Sequence, residues 1–153
     1  MDQNLSWNEH VNCLASKLSC NLFLVRKVSL LGCTNLTTIS YYSFIYSHIK
    51  YSILFWGLSS AQNLDRIFKL QKRAIRLIGN LKYSDSCKAT FISRKMLTVP
   101  SIFIEEAILY IKNNNLLDTQ KKHNYNTRHF NFAVPHRLSI FKKNPLMLVA
   151  NFL

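Results

Sequence analysis

Residues 61–79 read AQNLDRIFKLQKRAIRLIG, and the spacing of their apolar and basic residues indicates the fold class. Its apolar side collects seven residues at helical spacing: Leu64, Ile67, Phe68, Gln71, Ala74, Ile75 and Ile78. Its basic residues stand on the other side: Arg66, Lys69, Arg73 and Arg76, with Lys72 at the border. Because a helix repeats about every 3.6 residues, the pattern predicts an amphipathic helix with one apolar and one basic face. Ser59 or Ser60 can cap its start, and Gly79 ends it.

Apolar residues keep the same spacing on both sides of this helix. Ser6 and Glu9 have the form of a capping box, which predicts a helix over residues 7–31 that Gly32 ends. A second helix is predicted over residues 34–56, with Gly57 at its end. Its predicted core face consists of Leu36, Ile39, Tyr42, Tyr46, Ile49, Ile53 and Trp56. A short helical segment over residues 85–92 and a helix over residues 101–112 follow.

These elements and the composition together predict an all-α fold. The chain has 153 residues, the size of one domain, and only 3 glycines and 3 prolines, too few for a turn-rich barrel or sandwich. We expect a bundle of about four to five helices over residues 1–117. An irregular, basic, partly extended tail is expected over residues 118–153.

The charge balance points to a polyanionic partner. Lysine and arginine number 20 against 7 aspartates and glutamates, so the formal net charge is +13. Nucleic acid fits this charge better than an anionic membrane surface, because the basic residues are spread over several helices and a tail. Residues 39–56 are long and apolar, but His48 and Lys50 interrupt them, which favours a buried core helix over a membrane span.

The N-terminus has no secretory signal, and the 4 cysteines form no CxxC pair. We therefore expect reduced thiols and an intracellular protein, in the nucleus or the cytoplasm.

Catalytic chemistry is not indicated by the sequence. Nucleotidyl transfer with two metal ions needs clustered carboxylates, whereas the 7 acidic residues here are scattered. The side chains of the adjacent residues Glu105 and Glu106 point in directions about 100° apart around a helix. The sequence also contains no HExxH motif and no glycine-rich phosphate loop. The chain is therefore expected not to be an enzyme by itself, with no metal and no cofactor.

Two basic segments are candidates for phosphate contact, and each has a second interpretation. The basic face of residues 66–76 either contacts phosphates or is simply solvated. Solvated faces usually mix both signs of charge, whereas Asp65 is the single acidic residue in this helix, which favours phosphate contact. The tail carries Lys121, Lys122 and Arg128 among aromatic residues, which suits an arm that stacks on bases. The same aromatic residues could equally pack onto the helices, or the tail could be disordered.

Four short segments, taken in order, resemble a known family. Residues 5–11 read LSWNEHV, residues 41–51 read YYSFIYSHIKY and precede Trp56-Gly57, residues 70–76 read LQKRAIR, and residues 123–128 read HNYNTR. They are similar to the region that follows the palm in reverse transcriptases of non-long-terminal-repeat retrotransposons, of the jockey-like and related insect kinds. The resemblance runs nearly end to end. Ser52-Ile53 departs from it, because the family usually has glycine there.

The resemblance implies a thumb-like helical region that holds template and nascent strand by their backbones. The family's palm, with its aromatic-x-Asp-Asp strand, lies upstream of the LSW segment and is absent, so the chain is expected to be a truncated fragment without polymerase activity. The candidate nucleic-acid-binding residues are Arg66, Lys69, Lys72, Arg73, Arg76, Lys121, Lys122 and Arg128. RNA or DNA backbone is the expected partner, bound weakly and without sequence preference, and a separate palm-bearing polymerase chain is a further possible partner.

Two other interpretations of the sequence stay open. The aromatic second helix and the basic third helix could bind an acidic protein, which would make the chain a helical adaptor. Alternatively, the chain could be a non-functional remnant open reading frame.

Overall fold

The computed structural model describes residues 7–114, which form helices joined by turns and contain no strand. The all-α prediction is confirmed, while the predicted tail over residues 118–153 lies outside the described residues. In chain order the helices are α1 (Asn8–Ser29), α2 (Thr34–Tyr41), a π-helical segment (Tyr42–Tyr46), α3 (Ser47–Lys50), α4 (Ile53–Trp56), α5 (Ala61–Ile78), α6 (Lys88–Ser93) and α7 (Val99–Asn113). The chain divides into two units after Phe103, and of the second the structure describes residues 104–114.

The core of the first unit lies where α1 packs along α5. Helix α5 buries most of its predicted apolar face and Leu70 in addition, while Leu64 and Phe68 are half-buried. From α1 the buried residues are Val11, Leu14, Ala15, Leu18 and Val25, and from α5 they are Ile67, Leu70, Gln71, Ala74, Ile75 and Ile78. Each large aliphatic side chain buried in this way contributes about 1.5–3 kcal/mol, so this contact supplies much of the driving force for folding.

The ends of α1 agree partly with the predicted signals. Trp7 is its N-cap and makes no side-chain capping hydrogen bond, and Ser6 of the predicted capping box lies outside the described residues. Gly32 follows the helix with a φ of +71°, the left-handed conformation that glycine adopts without a steric penalty.

The predicted second helix over residues 34–56 is interrupted, which corrects the prediction of one continuous helix. The helical path runs from α2 through the π-helical segment to Lys50, and α4 begins only after Tyr51 and Ser52. The buried indole of Trp56 donates a hydrogen bond from Nε1 to the carbonyl oxygen of Tyr51 at 3.0 Å. A continuous α-helix would use that carbonyl internally, so the break gives the indole its acceptor. Within the described residues, no helix is long and apolar enough to cross a membrane.

The face that α2 turns to the core also differs from the prediction. The residues predicted as buried but found exposed are Leu36, Ile39 and Tyr42. The residues buried instead are Thr37, Ser40 and Tyr41. The hydroxyl of Thr37 donates to the carbonyl oxygen of Cys33 at 3.1 Å, and that of Ser40 donates to Leu36 at 2.8 Å. Because each hydroxyl donates a hydrogen bond within its own helix, the free-energy cost of burying these small polar residues is low.

Gln71 is a polar residue that lies fully buried in this core and joins three segments of the chain. Its Nε2 donates to the hydroxyl of Tyr41 at 2.9 Å and to the carbonyl oxygen of Leu97 at 2.8 Å. Its Oε1 accepts from the backbone N–H of Val99 at 3.0 Å. Burial raises the pKa of Tyr41 to about 12, so this hydroxyl stays protonated at neutral pH. The hydrogen bonds of Gln71 thus connect α2, α5 and the start of α7.

Ser52 sits in the left-handed region with a φ of +54°, at the break before α4. We expect Ser52→Gly to raise the free energy of unfolding by about 0.5–1 kcal/mol, because relief of this strain outweighs the added flexibility of the unfolded chain. Ser43→Gly is the matched control: Ser43 is exposed inside the π-helical segment, so the same change should lower stability by a similar amount. Urea unfolding followed by circular dichroism measures both, and a loss of stability in Ser52→Gly contradicts the prediction.

Candidate nucleic-acid interface

Helix α5 presents its basic residues on the side away from the core, as the sequence predicts. The hydroxyl of Ser60 caps the helix by accepting a hydrogen bond from the N–H of Asn63 at 3.3 Å. Burial of the apolar face against α1 fixes the rotation of the helix about its axis. The basic residues are exposed at Arg66, Lys69 and Arg73 and half-buried at Lys72 and Arg76.

The two basic residues in the first half of α5 already have partners within the chain. Nη1 of Arg66 donates a hydrogen bond to Oδ1 of Asn12 on α1. Nζ of Lys69 lies 2.8 Å from Oδ2 of Asp65, one helical turn earlier. Both contacts are exposed, and an exposed ion pair of this kind is worth about 0.2–1 kcal/mol. A phosphate can displace such partners, but neither side chain lines the two clefts described below.

The basic residues in the second half of α5 are placed differently. Nζ of Lys72 lies 4.1 Å from the ring centroid of Phe68. The guanidinium of Arg76 lies 5.5 Å from the ring centroid of Tyr83 and donates to the carbonyl oxygen of Asp85 at 3.4 Å. These contacts hold both side chains beside the helix, so their charges are positioned before any ligand arrives.

Two clefts flank this half of α5. The α5–α6 cleft has a volume of about 720 Å³, and its basic lining residues are Lys72, Arg76, Lys88 and Lys95. The α1–α5 cleft has a volume of about 440 Å³, and its basic lining residues are Arg26, Arg73 and Arg76. Arg76 lines both clefts, so positive charge continues from one to the other. No aspartate or glutamate side chain lines either cleft among the described residues.

Sequence reasoning missed Arg26, Lys88 and Lys95 as site residues. They come from α1, from α6 and from the turn that follows α6, and they reach α5 only through the tertiary fold. The net charge was the only sequence signal that included them. The tail candidates Lys121, Lys122 and Arg128 lie outside the described residues.

Metal ligands are not grouped in the part of the chain that the structure describes. No set of three or more histidine, cysteine, aspartate or glutamate side chains there could hold a metal ion. Among the cysteines, Cys87 is buried, and its Sγ lies 3.6 Å from the carbonyl oxygen of Lys72 at the edge of the α5–α6 cleft. The chemistry of the two clefts is therefore that of cations, hydroxyls and aromatic rings.

Comparison with family models, with curated proteins and with solved structures finds no match for this chain.

Proposed function

We propose that this chain binds the sugar-phosphate backbone of nucleic acid at the two clefts of α5, without sequence preference and without a catalytic centre of its own. The observation that carries the proposal is the convergence of cations from separate elements on clefts with no acidic lining residue. The six residues are Arg26, Lys72, Arg73, Arg76, Lys88 and Lys95. If the basic face of α5 were only solvated, there would be no reason for basic residues of α1 and α6 to lie beside it.

Backbone binding predicts that the clefts bind nucleic acid without sequence preference. Arginine and lysine contacts to phosphates position a protein on nucleic acid but carry no base information. The affinity of such contacts comes largely from counterion release, which requires several cations in reach of neighbouring phosphates. A continuous positive surface through Arg76 meets this requirement.

The resemblance to non-long-terminal-repeat reverse transcriptases gives this binding a biological setting: a thumb-like region beside a palm. Two observations support it. Ser52 adopts a left-handed φ of +54° at the position where the family usually has glycine, which is the residue that this conformation favours. In the LQKRAIR segment, α5 buries Leu70, Gln71, Ala74 and Ile75, while Lys72, Arg73 and Arg76 line the clefts. The proposed partner for catalysis is a palm-bearing polymerase chain.

The salt dependence of affinity tests the backbone-binding proposal. With six cleft cations in phosphate contact, the slope of log affinity against log salt concentration should be about −4 for a single-stranded RNA. An RNA–DNA hybrid should show a comparably steep slope, and two unrelated sequences should bind about equally. Fluorescence anisotropy of the full chain with labelled oligonucleotides measures these quantities. Binding that is insensitive to salt, or that depends strongly on sequence, contradicts the proposal.

A second candidate function is favoured by the exposed apolar stripe of α2 and the π-helical segment. Leu36, Ile39 and Tyr42 are all more than two-fifths exposed, and contiguous apolar surface often marks a protein contact. The chain would then be an adaptor that binds another protein through this stripe. Co-purification with a palm-bearing polymerase chain that survives nuclease treatment and is lost in Ile39→Glu would support this function. Co-purification that nuclease abolishes would contradict it.

A further inference from the structure

The α5–α6 cleft has an aromatic, apolar floor that phosphate contacts alone do not require. The ring centroids of Phe68 and Phe91 lie 6.3 Å apart, and Met96 lines the same cleft. Phe91 and Met96 are buried, whereas Ile92 in the cleft lining is 67% exposed. The accessible apolar surface of the cleft therefore comes from Ile92 and from the half-buried Phe68 and Leu97, rather than from Phe91 and Met96.

Cations and hydroxyl groups surround this floor. Lys72, Lys88 and Lys95 line the cleft together with Arg76, and Ser86 adds a hydroxyl group. The cleft thus combines an aromatic, apolar floor with a positively charged rim. Its volume of about 720 Å³ lies within the range of about 300–1,000 Å³ that is usual for pockets binding small organic groups.

A nucleotide unit of a single strand has the matching chemistry. Its base is flat and can stack on aromatic rings, and its phosphate is an anion joined to the base through a single sugar. In a duplex the bases are stacked on each other and cannot enter a protein pocket without being flipped out. The cleft therefore fits an unpaired nucleotide better than a base pair.

The α1–α5 cleft favours this occupant over a small amphiphile with one charged group, such as a fatty acid. Arg76 lines both clefts, and Arg26 and Arg73 extend the positive surface beyond the aromatic floor. A fatty acid would leave these arginines without an anion, whereas a strand supplies one phosphate per nucleotide.

We propose that the α5–α6 cleft holds the base of an unpaired nucleotide, while the rim cations and the α1–α5 cleft hold the adjacent phosphates, an inference that rests on the backbone binding proposed above. The chain accordingly binds single strands, and single-stranded ends of hybrids, more tightly than blunt duplexes of equal charge.

The decisive experiment compares two oligomers of the same length and charge with the full chain. One is a single-stranded oligonucleotide of mixed sequence, and the other is an abasic deoxyribose-phosphate oligomer. Stacking of one base in the cleft should make binding of the first about tenfold tighter. Equal affinities overturn the base pocket and leave backbone binding intact, whereas the absence of binding to either oligomer overturns both proposals.

Phe68→Leu locates the effect in the cleft, because it removes an aromatic face but keeps an apolar side chain of similar size. The tenfold preference for the base-bearing oligomer should fall to about twofold, with the salt dependence unchanged. Phe55→Leu is the matched control, since Phe55 is 61% exposed on α4 and lines neither cleft. If Phe68→Leu keeps the full tenfold preference for the base-bearing oligomer, the assignment to this cleft is wrong. It is also wrong if Phe55→Leu loses that preference.

Discussion

Replacing Gln71 with leucine is expected to lower the free energy of unfolding by about 3–5 kcal/mol. Leucine is of similar size but leaves the hydroxyl of Tyr41, the carbonyl of Leu97 and the N–H of Val99 without the hydrogen bonds that Gln71 provides. A buried polar group that loses its partner costs about 1–3 kcal/mol. Because a domain is stable by only about 5–15 kcal/mol in total, this variant should lie close to unfolding at room temperature.

Urea unfolding followed by the helical circular dichroism signal measures this loss. Gln62→Leu is the matched control, because Gln62 is exposed near the start of the same helix, and its replacement should change stability by less than about 0.5 kcal/mol. Similar stabilities for the two variants would mean that the hydrogen bonds of Gln71 do not hold α2, α5 and α7 together.

Gln71 also shows what helical spacing can and cannot predict. Its position in the 61–79 pattern placed it correctly on the apolar face of α5. Its partners lie 26 to 30 residues away in the chain, so no local pattern could identify them. A polar residue on an otherwise apolar face predicts that hydrogen-bond partners exist, but not which ones they are.

The prediction for the second helix was wrong in its continuity and in the buried face of its first part, for a different physical reason, whereas Ile49, Ile53 and Trp56 are buried as predicted. Apolar and aromatic residues lie all around residues 34–56, so several faces satisfy the helical spacing almost equally well. The structure exposes Leu36 and Ile39 and buries Thr37, since a threonine hydroxyl can be satisfied by a carbonyl of its own helix. The break at Ser52 was likewise not predicted, because serine is not a usual residue for a left-handed conformation.

The candidate site was predicted in part. A helical wheel is enough to place Lys72, Arg73 and Arg76 away from the core, since the apolar face of α5 is unambiguous. It gives no distances between elements, so it could not show that Arg66 is partnered by Asn12 of α1, whereas the pairing of Lys69 with Asp65 follows from their i,i+4 spacing. Nor could it show that other helices bring further cations to the second half of α5.

The double variant Lys72→Gln/Arg73→Gln is expected to weaken binding to a single-stranded oligonucleotide about 20-fold at 0.1 M salt. Each phosphate contact contributes about 0.7 to the slope of log affinity against log salt concentration, so the slope should become less steep by about 1.4. Glutamine has nearly the same helix propensity as lysine and arginine, and neither replaced residue is buried, so α5 should stay folded. Arg76 is left unchanged, because its contacts to Tyr83 and Asp85 also support the fold.

Lys17→Gln/Lys112→Gln is the control that separates the clefts from the general positive charge. Both lysines are exposed, neither lines a cleft, and the net charge falls by the same amount as in the test variant. If the clefts hold the phosphates, this control should lose less than about threefold in affinity and keep the original salt slope, because charges that contact no phosphate act on the strand only through long-range attraction, which salt screens over about 10 Å at 0.1 M. Equal losses of affinity in the two variants would instead show that the whole molecule attracts nucleic acid through its net charge, and the assignment of binding to α5 would then be wrong.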